Sequence, residues 1–148
     1  MLQLDLFAVA NYLRTAVPAF AEVGLIGDRA TAQRETIRWP SAWIVLLAET
    51  AGDNLYASDD MIEQPVTARI AVIMAVRDIA DRVGAQAATD LQPLREAVLL
   101  GLGRFIPQDA DQSFRFSRGQ RLSGVDKAGG MFWQDEFTLR FDRRIPLT

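Results

Sequence analysis

The sequence predicts one α+β domain over residues 1–148, with an antiparallel or mixed β-sheet of about four main strands and two main helices packed on one face. Three observations point there. Residues 66–76 and 131–141 alternate apolar with smaller or polar side chains, and a period of two sends successive side chains to opposite faces of a sheet. Residues 2–17 and 91–102 repeat apolar side chains at helical spacing. A chain of 148 residues, 49% hydrophobic and 24% charged, has the size and composition of a single globular domain.

Taken in order, Leu2, Leu6, Phe7, Ala10, Leu13 and Val17 mark an amphipathic helix over about 3–16, stopped by Pro18. AEVGLI reads as a short strand, and GDRATAQRE at 27–35 as an exposed turn of helix or a loop. PSAWIVLLAE begins at a proline and is apolar on both parities, which suits a strand at 42–48 buried on both faces, or one facing a partner. Residues 49–64 hold five acids, no base and the turn formers Gly52, Asp53 and Asn54, so they read as a long loop. The clearest strand is 66–76, expected to pair with 42–48. Asp90 is expected to cap a second helix, with Pro93 in its first turn and Gly101 and Gly103 at its end. SFRFSRGQRLSGV and MFWQDEFTLRFD then form two antiparallel strands joined around 126–130. On the second of these, Met131, Trp133, Phe137, Leu139 and Phe141 share the buried parity, interrupted only by Asp135, while Phe132 lies on the other face, toward a helix or a neighbouring subunit.

Composition narrows the function. The chain has no cysteine and no histidine, so disulfides, thiolate chemistry and the commonest general base and metal ligand are out of reach. The apolar patches of residues 1–17 lack a basic start and carry Asp5, so neither a signal peptide nor a membrane span is expected. The formal charge is −3 but uneven: residues 1–103 hold 8 basic and 13 acidic side chains, residues 104–148 hold 8 and 6.

No motif carries catalysis. GLGR at 101–104 ends a helix instead of opening one, so it presents carbonyls where a phosphate needs amide donors. Asp53, Asp59, Asp60 and Glu63 lack the spacing of a calcium loop and read as a solvated loop or a contact surface. Asp135 and Glu136 are neighbours on a strand, point to opposite faces, and cannot work as an acid/base pair. FRFSRGQR interleaves Arg115, Arg118 and Arg121 with Phe114 and Phe116, the residue types single-stranded nucleic acid needs, although the negative overall charge favours a salt-bridging or solvent-facing strand. No enzyme, metal, cofactor or small-molecule substrate is expected.

Two segments, Q-x-V-x-x-x-I-x-V at 64–72 and W-Q-D-E-F at 133–137, together with WPSAWIVLLAE and LQPLREAVLLGLGRF, resemble the tail terminator, or tail completion, proteins of long-tailed bacteriophages in the form carried by transposable phages and prophages. The resemblance spans roughly 37–144. It implies a non-enzymatic structural protein, assembled in the host cytoplasm and carried in the virion tail. Such a protein forms a ring, usually a hexamer, on the tail tube, stops its polymerisation and offers a docking surface to the head–tail connector. Partners would be copies of itself, the tube protein and the connector. A ring needs two different patches per subunit, and the acids Asp53, Asp59, Asp60 and Glu63 facing Arg115, Arg118 and Arg121, with Phe132, are the expected contact. A head–tail neck protein and a small nucleic-acid-binding module are the alternatives.

Overall fold

The computed structural model describes residues 1–25, 38–56, 60–77, 85–122 and 130–147, with 85–88 as backbone only. The elements run α1 (Leu6–Ala16), β1 (Glu22–Leu25), β2 (Ser41–Ala51), β3 (Met61–Arg77), α2 (Ala85–Arg104), β4 (Arg115–Arg121) and β5 (Gly130–Pro146). The strands form one mixed sheet in the order β1-β2-β3-β5-β4. All contacts are antiparallel except β1 with β2, which is parallel. The α+β class and the pairing of β2 with β3 and of β4 with β5 are as the sequence predicts; the fifth strand is the short β1.

Both helices cover the same face. Val9, Ala10 and Leu13 of α1 and Leu91, Leu94, Val98 and Leu102 of α2 pack on Val66, Ala68, Ile70, Val72 and Met74 of β3 and on Met131, Phe137, Leu139 and Phe141 of β5. Removing this apolar area from water is the main force holding helices to sheet. Asp5 caps α1, accepting from the amides of Phe7 at 3.0 Å and Ala8 at 3.2 Å. The cap shortens the helix at its start, and Phe7 falls outside the buried stripe at 69% exposure.

The second face carries its own smaller cluster of Trp43, Val45, Ala71, Ile73, Ala75 and Phe132, with Trp39, Leu47 and Leu122 against it. This explains why Ser41–Val45 and 70–76 are buried on both parities.

Two expectations change. The helix α2 begins at Ala85, not Asp90, so Asp90 is no cap and Pro93 lies inside the helix. The Ala-rich AQAAT has enough helix propensity to extend the helix upstream of the proline. The acidic loop is shorter than 49–64: β2 continues to Ala51 and β3 starts at Met61, which puts Glu49 and Glu63 on strands. The segment 27–35 and the turn residues 126–129 lie outside the described residues.

Candidate functional site

The sheet has two unlike sides. On one, β4 is the edge strand, exposed at every residue except the half-buried Gln120. Arg118 stands opposite Glu136 and Arg115 opposite Thr138, both on the face away from the helices, while Arg121 stands opposite Trp133 on the helix-bearing face. A register shift between Phe116 and Arg118 places Arg115 and Arg118 on the same face despite their odd spacing. Arg118 binds Glu136 at 3.1 Å. Arg115 and Arg140 join Thr67 and Thr138 around a shallow hollow of about 370 Å³. The aromatics do not serve as one stacking platform: Phe114 is buried in the core, and only Phe116, at 48% exposure, faces outward.

Behind β4 sits a compact polar cluster. Asp135, wholly buried, accepts two bonds from Arg95 of α2, Nε to Oδ2 at 2.9 Å and Nη2 to Oδ1 at 2.8 Å. Its Oδ1 also accepts from the indole nitrogen of Trp133 at 2.8 Å, and the Arg95 guanidinium lies 4.5 Å from the Trp133 ring centre. Trp133 is thus half-buried, not fully buried as its parity suggests, because its ring forms part of the lid over this ion pair. Gly119, opposite Asp135 in the register, leaves the space: a Cβ there would stand 2.5 Å from Asp135 Oδ1. The acids at 135 and 136 are therefore each held by an arginine, on opposite faces of the sheet.

The connection between β2 and β3 lies at one end of the strands, beside the end of β5. Asn54 braces it, its side-chain oxygen accepting from the amides of Glu63 at 2.9 Å and Tyr56 at 3.1 Å. Glu63 is nearly buried and accepts from Arg144 Nε at 2.9 Å. The same bond and the nearby charge raise the Arg144 pKa above the usual guanidinium value. Leu147 donates to the Asp60 carbonyl at 2.8 Å, tying the end of β5 to this turn. Asp53 is exposed; Asp59 lies outside the described residues. Among the described residues, no three acidic side chains gather as a metal would require.

Of the expected contact residues, the structure keeps Asp53 and Asp60 at one end and Arg115, Arg118 and Arg121 on the β4 edge. Glu63 is engaged by Arg144 of its own chain. Phe132 is only 5% exposed and packs edge-on against Trp39, with ring centres 6.0 Å apart. It belongs to the second core cluster and is not a surface residue.

The sequence matches the phage tail terminator protein family over residues 1–147. The chain belongs to that family. No curated protein matches it. As a tail terminator family member it is a structural component of a phage tail. Its W-Q-D-E-F segment now has a physical account: Trp133 and Asp135 bind Arg95, Phe137 fills the main core, and Glu136 anchors Arg118 of the edge strand. Arg95 and Arg144 are the residues the sequence reading missed. The signal for Arg95 was Asp135 itself, an acid on an apolar face, which requires a cation.

Proposed function

We propose that the protein assembles as a ring, a hexamer, on the end of a finished tail tube, stops addition of further tube protein, and presents a surface to the head–tail connector. It does so first in the host cytoplasm and then as part of the virion, and it acts without catalysis. The observation that carries this reading is membership of the tail terminator family over residues 1–147. The placement of the charges supports it, since Asp53 and Asp60 lie in the connection between β2 and β3 and Arg115, Arg118 and Arg121 on the β4 edge, and a ring repeats one heterologous contact in every subunit.

The test uses charge reversal, and the structure decides which charges to reverse. Arg118 secures the buried Glu136, and Glu63 is held by Arg144, so changing either would disturb the fold itself. Arg115→Glu with Arg121→Glu spares both pairs. This variant is expected to remain folded but to form no rings and cap no tubes, and Asp53→Lys with Asp60→Lys added should partly restore both. Rings and capped tubes at wild-type levels from the double-Glu variant would contradict the reading of the contact.

A further inference from the structure

The two sides of the sheet differ in more than charge. Strand β1 covers only Ser41–Ile44 of β2. Arg14 of α1 occupies the β1 carbonyl at Val23, donating from Nε at 3.0 Å and Nη2 at 2.7 Å. Among the described residues, β2 beyond Ile44 pairs with no strand on that side. It is exposed at Leu46 (41%) and from Ala48 to its end at Ala51; Glu49 on it is held by Arg143 at 2.9 Å, and the exposed Asp53 follows it. At the far side, the seven residues of β4 form the other edge, which pairs with no further strand among the described residues.

Free edges invite pairing with another chain, and charges on them choose which chain. Two β4 edges laid together would set Arg115, Arg118 and Arg121 against their own copies, whereas the β2 edge carries no cation and is followed by the exposed Asp53. The apolar residues agree with the charges. Leu46 stands opposite Ile70, which stands opposite Phe137, which stands opposite Phe116, so this row ends in an exposed apolar side chain at both edges of the sheet. Both ends lie on the helix-bearing face. Strand direction agrees as well: β2 and β4 run opposite ways within one subunit, so copies related by rotation about an axis along the strands would join antiparallel. The short β1 leaves a step, and a β4 strand set against β2 beyond Ile44 would continue the line of β1. Such a stagger is what strands tilted around a closed barrel require.

We infer that neighbouring subunits join by main-chain pairing of β4 of one copy with residues 46–51 of β2 of the next, giving a sheet that runs unbroken through the assembly. This rests on the ring reading above and specifies its contact.

The absence of cysteine makes the test clean. Thr50→Cys, Ser117→Cys and the double variant would each be treated with a short bifunctional thiol reagent, alone and on tail tubes, with circular dichroism confirming the fold. The expected result is a ladder of covalent oligomers from the double variant, ending at the size of the ring, and no covalent dimer from either single variant. Covalent dimers from Ser117→Cys alone would mean that β4 pairs with itself and would overturn the inference. So would rings visible by electron microscopy whose double-variant subunits stay uncrosslinked; that outcome leaves the ring reading standing. If the unsubstituted protein forms no ring either alone or on tubes, both fall together.

Discussion

Trp133 and Asp135, two positions apart on one face of β5, are joined by a 2.8 Å hydrogen bond from the indole nitrogen to Oδ1. Arg95 binds the same carboxylate through two nitrogens and lies over the indole, so a single buried acid couples a helix to the strand that supports the Arg-bearing edge. A buried carboxylate is tolerable only with such partners, and removing one side of the pair leaves the other desolvated and uncompensated.

Asp135→Ala should therefore destabilise the protein by about 3 kcal/mol, toward the lower end for a buried pair because the Arg95 side chain keeps 28% exposure and can turn partly to water. Trp133→Phe keeps an aromatic ring but loses the hydrogen bond and part of the surface under Arg95, so its cost should be smaller, about 1–2 kcal/mol. Urea unfolding of the two variants checks the order. Equal midpoints for both would mean that the carboxylate is not the centre of the cluster.

Two glycines should respond in opposite directions. A methyl at Gly119 would collide with Asp135 Oδ1 at 2.5 Å and crowd Arg95 and Trp133, whereas one at Gly103 meets nothing within 4 Å. Gly119→Ala is expected to lose about 1–3 kcal/mol by overpacking, and Gly103→Ala, on a helix, to gain about 0.5–1 kcal/mol. Thermal melting distinguishes them; a neutral Gly119→Ala would show that the cluster can spread without penalty.

Hydrogen exchange should grade the chain by its pairing. The amides of 70–75 sit in a strand paired on both sides and buried on both faces, so they should open only with global unfolding. Asp53 and Asn54, exposed in the turn after β2, should exchange orders of magnitude faster. Comparable protection in the free protein would contradict the shortened loop.

Much of the fold was legible because burial imposes a period. The parity of β5 placed Met131, Phe137, Leu139 and Phe141 in the core, and Asp135 declared itself as an anomaly on that face. Its partner was not legible, since Arg95 lies 40 residues away and meets it only through the packing of α2 on the sheet. The ends of β3 escaped detection because Glu63 and Gln64 are as polar as a loop; what makes them strand is pairing with Arg144 and Arg143. The facing of Arg115 and Arg118 depends on an irregularity opposite β5 that spacing alone does not reveal. Phe132 was read as a contact because its face looked polar, but Ala71, Ile73 and Ala75 of the neighbouring strand make that face apolar beneath it.

The most direct measurement follows tail-tube length by electron microscopy as tube protein polymerises with and without this chain. The account predicts that added protein arrests growth at one end, where a ring one subunit deep is visible, and that tube length then stays constant as more tube protein is supplied. Tubes that keep lengthening at both ends in the presence of excess folded protein would contradict it.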